Sequence, residues 1–69
     1  MTESIYKMIE LVGTSTNSWE DAAKNAVERA GASLRDLRVA EIVQLDMKMD
    51  NNKVAAFRAR VKVSFKYED

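Results

Sequence analysis

"RVAEIVQLDMKM" (Arg38–Met49) decides the fold, because it is apolar on both sides of a strand. Read at every second position it places Val39, Val43, Leu45, Met47 and Met49 on one face, while Ala40 and Ile42 remain on the other. Strand side chains alternate strictly, so this stretch needs cover on both faces over part of its length. A chain of 69 residues has little to cover it with. At that size only about 60% of the unfolded surface is buried on folding, and one core contributes little net stability.

Composition narrows the remedy. There is no cysteine, which excludes disulfides and thiolate metal sites, and no histidine, the commonest general base and transition-metal ligand. Partner copies of the chain remain, and they would also cover the two-faced strand. Eleven basic and eleven acidic residues cancel, so the electrostatic footprint of a nucleic-acid-binding domain is missing. No apolar run approaches a membrane span or a signal-peptide core. The lack of cysteine fits a cytoplasmic location. With no proline and two glycines there is no linker or repeat, so residues 1–69 read as one domain.

Working outward, the chain after Leu34 reads as two long strands, Arg35–Asp50 and Lys53–Tyr67, joined at "DNNK". Asn51 and Asn52 tolerate left-handed backbone angles and suit a two-residue hairpin turn. That turn sets Ile42 opposite Val61, Ala40 opposite Val63 and Glu41 opposite Lys62, with Val43 and Leu45 among Arg60 and Arg58. A three-residue loop would instead set Asp46 opposite Arg58. The first register is preferred because it gives a helix a continuous apolar bed.

Upstream, "SIYKMIELV" (Ser4–Val12) reads as strand one, ended by Gly13 and followed by the polar loop "TSTNS". Ser18 suits an N-cap, with Asp21 placed to return the bond as in a capping box. Trp19, Ala22, Ala23, Ala26, Val27 and Ala30 then form one helical stripe. Glu20 and Asp21 suit the helix start, Arg29 its last turn and Gly31 its stop. The expected fold class is α+β. It is a β-α-β-β protomer with a three-stranded antiparallel sheet packed on one helix, its second face covered by other copies.

As an enzyme the sequence is poor, lacking histidine, cysteine and any glycine-rich phosphate loop. The loop before the helix reads as a cap rather than an anion site, and Trp19 as core rather than a stacking platform. Glu41, Asp46 and Asp50 lack the spacing of an EF-hand. A calcium site built from several chains remains open to them, because hard cations need only oxygen ligands.

The segments "YKMIELVGTSTNSWEDAAKNAVERA", "LRVAEIVQLDMKM" and "AFRARVKVSFKYED" together resemble the dodecin family over essentially the whole chain. The resemblance implies a hollow homododecamer of cubic symmetry and a protein without catalytic activity that binds and stores flavins. It also implies the positions of the flavin site. Where the family stacks a tryptophan on the ring this chain has Val39, and where it bonds the ring edge with glutamine this chain has Arg58. A branched aliphatic has no π-face and a guanidinium accepts no hydrogen bond. FMN or riboflavin is therefore expected to bind weakly at best, with the phosphate of FMN the one feature Arg58 could recruit. The combination of "RVA", "QLDM" and the strand-three arginine is closer to the calcium-dodecin branch. Calcium is accordingly the metal to consider, at Asp46 and Asp50. Glu41 and Lys62 are expected to form an ion pair buried at a subunit contact.

Overall fold

The computed structural model describes residues 5–34 and 36–66. The elements run β1 (Tyr6–Ser15), α1 (Trp19–Ser33), β2 (Leu37–Asp50) and β3 (Lys53–Lys66). They form one antiparallel sheet in the order β1-β3-β2, the expected β-α-β-β arrangement. Expected strand residues Ser4, Arg35 and Tyr67 lie outside the described residues.

Gly13 does not end β1. The strand continues through Thr14 and Ser15, because a residue without Cβ at position 13 is what lets the helix settle on it. A Cβ there would stand 2.0 Å from the Ala22 carbonyl oxygen and 2.8 Å from Ala26 Cβ. The small residues Ala22, Ala26 and Ala30 are the buried stripe of α1. Facing them are Ala59, Val61 and Val63 of β3. No buried hydrophobic side chain among the described residues is larger than valine.

Both helix ends depart from expectation. Ser18 is the N-cap and accepts from the Asp21 amide at 3.0 Å. The Asp21 carboxylate, however, accepts from Ser15 Oγ at 2.7 Å rather than returning the bond to Ser18. Ser15 is buried and its Oγ also accepts from the amides of Asn17 and Ser18, so it ties the end of β1 to the helix start. At the other end Gly31 lies within the helix, which runs to Ser33 with Leu34 as C-cap, leaving Arg29 short of the last turn. Gly31 packs near Leu37 of β2, whose Cδ1 would lie at an ordinary contact distance of 3.5 Å from an added Cβ.

The hairpin turn is the two-residue one: Asn51 and Asn52 have φ of 53° and 61°, the type I′ signature. Three irregularities then shift the pairing of β2 with β3. Ala55 is the extra residue near the turn, and Val43 and Arg38 are extra residues in β2. Consequently both candidate registers occur. Glu41 lies opposite Lys62 and Ile42 opposite Val61, as expected, while the middle of the strand sets Leu45 opposite Ala59 and Asp46 opposite Arg58.

This corrects the facing of β2. A bulge breaks the strict alternation, so Leu45 does not join Arg58 and Arg60 on the outer face. It lies on the helix side, lining a small cavity of about 130 Å³ with Trp19, Ala23 and Ile42. Gln44 and Asp46 take the outer places opposite Arg60 and Arg58. The expected helix bed is corrected too. α1 lies across β1 and β3 and scarcely reaches β2, so Ile42 and Leu45 stay 49% and 47% exposed although they face the helix side.

The result is a long, thin protomer of 55 × 20 × 15 Å. Its radius of gyration is 14.3 Å, against about 11 Å for a compact chain of this length. It exposes 5485 Å², where a folded monomer of this mass exposes about 4,400 Å². The excess is apolar in large part: Tyr6, Met8, Val12, Val39, Ile42, Val43, Leu45, Met47, Met49 and Val54 are all exposed. An exposed apolar surface of that extent marks an interaction face.

Candidate functional site

The outer sheet face carries the candidate residues, and each place on it follows from the ladder. Along β3 it presents Arg58, Arg60, Lys62, Ser64 and Lys66, flanked by Tyr6, Met8, Glu10, Val12 and Thr14 of β1. On the β2 side stand Val39, Glu41, Gln44 and Asp46.

Near the start of β2 this face holds a groove of about 420 Å³ lined by Tyr6, Met8, Arg38, Val39 and Ser64. The floor is low because Ser64 is the small residue between the two larger apolar walls, and its Oγ donates to the Val39 carbonyl at 3.5 Å. Val39, 62% exposed, is thus at a concave apolar site. Tyr6, Met8, Arg38 and Ser64 were not singled out in the sequence. Their signal was available: extending the β1–β3 pairing to the strand ends brings Tyr6 and Met8 to the same corner as Val39.

Arg58 is not part of that groove within one chain. Val39 pairs with Ser64, six positions along β3 from Arg58, or about 20 Å at roughly 3.3 Å per residue. One ligand would touch both only if they came from different copies. Arg58 is committed locally instead. Its Nε donates to Asp46 Oδ1 at 2.7 Å and an Nη to Oδ2 at 2.8 Å, a two-point fork across the strands. These bonds hold the Asp46 carboxyl below its ordinary value, opposed by slight desolvation and helped by the charges of Arg58 and Arg60. The same bonds raise the Arg58 guanidinium.

Asp46 is fixed from the other side as well. β2 is an edge strand, and the Asp46 carbonyl accepts from Trp19 Nε1 at 2.9 Å. Trp19 in turn meets Phe57 edge to face, with ring centres 5.1 Å apart. A half-buried tryptophan on the helix therefore positions a carboxylate on the opposite side of the sheet.

The remaining candidates stand apart. Glu41 and Glu10 flank Lys62 from the two neighbouring strands, yet among the described residues the one ion pair within 4 Å is Arg58–Asp46. Asp50 lies opposite Lys53 beside the turn, four positions from Asp46. Among the described residues no three acidic, histidine or cysteine side chains of one chain converge on a point suited to a metal ion.

Fold and face together define a class: a thin β-α-β-β protomer with an undersized core and a ligand-sized groove on its open sheet face. Residues 5–68 match the sequence model of the Dodecin family, and the chain belongs to that family. It is 46% identical over 63 residues to the calcium dodecin of Mycobacterium tuberculosis (strain ATCC 25618 / H37Rv), covering 91% of this chain and 89% of that one. The crystal structure of calcium dodecin from Mycobacterium tuberculosis superposes with a TM-score of 0.85 at 45% identity, covering 94% of this chain and 93% of that one. Dodecin from Streptomyces coelicolor superposes with a TM-score of 0.91 at 33% identity, covering 100% and 99%. Dodecins are small-ligand-binding or storage proteins that assemble as dodecamers. Among the described residues no helix is long and apolar enough to cross a membrane.

Proposed function

We propose that residues 1–69 form one dodecin domain that assembles as a hollow homododecamer in the cytoplasm and binds or stores a small ligand without catalysis. The observation that carries this reading is the apolar groove of Tyr6, Met8, Arg38, Val39 and Ser64 on a face that one chain leaves open. Copies of the chain cover the remaining exposed apolar residues, and Glu41 and Lys62, cross-strand neighbours in one chain, pair where such a contact buries them. The groove has no stacking tryptophan at Val39, and Arg58 is held by Asp46, so riboflavin and FMN bind weakly. A stacked aromatic pair contributes about 0.5–1.5 kcal/mol beyond area burial, and an unsatisfied ring edge costs roughly 1–3 kcal/mol. Together these weaken a flavin site by about one to three decades at about 1.4 kcal/mol per decade. Titrating riboflavin into the purified particle tests this: weak or no quenching at low micromolar concentration supports it, and tight quenching binding refutes it.

Calcium binding is the second reading. It is favoured by the 46% identity to calcium dodecin and by a relative whose structure is described as calcium chelating with a novel calcium-binding site. In this chain Asp46 and Asp50 supply the oxygens, each from more than one copy, and calcium must draw Asp46 away from Arg58. Calorimetry with calcium on the chelator-treated particle decides it, with heat of binding supporting the site and its absence removing it.

A further inference from the structure

The outer face of β3 carries two arginines two positions apart, Arg58 and Arg60. Strand geometry puts them on the same side, about 6.7 Å apart. Long side chains from neighbouring same-face positions can bring both guanidinium groups to one phosphate, for which arginine's planar fork is well matched. Opposite Arg60 stand the uncharged Val12 and Gln44, so no neighbouring strand supplies it with a directly opposing acid. Opposite Arg58 stands Asp46, which fills the fork with two bonds of 2.7 and 2.8 Å. Within one protomer the side chains of the pair are 44% and 37% exposed.

We infer that Asp46 is the specificity-determining residue of a latent phosphate-binding site on Arg58 and Arg60, occupying the place of the phosphate and so keeping phosphorylated ligands off this face. Three observations converge on this role. The carboxylate engages Arg58 at two points, as a phosphate would. It stands opposite Arg58, with Arg60 two positions further along the same face of β3. Its backbone is anchored by Trp19 Nε1 through the Asp46 carbonyl, so it is held in place rather than left to swing with a surface side chain. Anything that draws Asp46 away, a divalent cation included, frees Arg58 for an anion. Cation and anion then help each other bind, because whichever arrives first breaks the internal pair for the second. The role deepens the proposed function and shares its premise that Asp46 holds Arg58, while a pyrophosphate test leaves the riboflavin reading untouched.

The test uses inorganic pyrophosphate as probe, measured by calorimetry on the intact protein at about 0.1 M salt. The parent binds it weakly. Asp46→Asn removes the competing charge and keeps the side-chain size, and pyrophosphate affinity rises about five-fold or more, the upper range for an exposed ion pair. The double variant Asp46→Asn/Arg58→Gln returns to the parent's level. Asp46→Thr, a good strand former, gives the same gain if the asparagine variant fails to fold. An unchanged affinity on removing Asp46, or a gain that survives loss of Arg58, overturns the inference.

Discussion

Replacing Gly13 by alanine tests how the helix is held. The new Cβ meets the Ala22 carbonyl oxygen at 2.0 Å and Ala26 Cβ at 2.8 Å. Ordinary contact needs at least 3.4 Å or so, and the atom in the way is helix backbone, which has no rotamer to change. The helix must therefore lift by about 1 Å or more along its central turns. Beneath those turns lies the best-packed part of the protein, Ala22, Ala26, Ala59 and Val61. A radial gap of 0.5–1 Å forfeits roughly a quarter to a half of each dispersion contact. Overpacking of this kind costs about 1–3 kcal/mol, more where backbone must move; we expect about 3 kcal/mol. In a domain of this size each kcal/mol shifts Tm by about 4–8 °C, so Gly13→Ala should lower Tm by about 12 °C or more. Thermal melts followed by far-UV circular dichroism, at matched protein concentration, provide the assay. A variant melting within 3 °C of the parent would refute the close approach of α1 to β1.

Trp19→Phe keeps a ring against Phe57 but removes the donor to the Asp46 carbonyl; it should cost about 1 kcal/mol, read by urea denaturation, and no loss would show that solvent serves that carbonyl equally well. Asp46 has a folded pKa below its unfolded value, so the stabilisation from its pair with Arg58 is present above about pH 3.9 and lost as pH falls through the lower folded pKa. The gap in melting temperature between the parent and Asp46→Asn should accordingly be seen at pH 6 and shrink as the pH falls below about 3.9; a gap unchanged with pH would assign it to some other cause. Glu41→Ala, if Glu41 and Lys62 pair at a buried contact, should cost roughly 3–5 kcal/mol and break the particle into smaller species on size-exclusion chromatography, whereas assembly like the parent's would make Glu41 a surface charge.

The type and order of the elements were legible because their signals are local. The alanine stripe from Trp19 to Ala30, the Ser18 cap and the Asn51–Asn52 turn each follow from a few adjacent residues. The apolar run on both faces of Arg38–Met49 pointed beyond one chain, and the exposure of Ile42, Leu45 and Val39 agrees with that reading. What the sequence hid was non-local. The bulges at Ala55 and Val43 have no glycine or proline to announce them, and between them they set Leu45 on the helix side and Asp46 opposite Arg58. Gly13 read as a strand stop because a glycine required for close helix approach looks the same in sequence. The donor to the Asp21 carboxylate could not be anticipated either, since Ser15 reaches it only because β1 continues past Gly13. At the candidate site, Val39 was placed correctly on the outer face, but its groove partners come from β1 and the end of β3, and only the full ladder brings them together.

The central claim is that this thin protomer is completed by copies of itself. Sedimentation equilibrium at micromolar concentration addresses it directly. The account predicts a particle of about 94 kDa, twelve times the 7.8 kDa chain, whose thermal midpoint rises with protein concentration because folding and assembly are linked. A folded, cooperatively melting monomer of 7.8 kDa would contradict it.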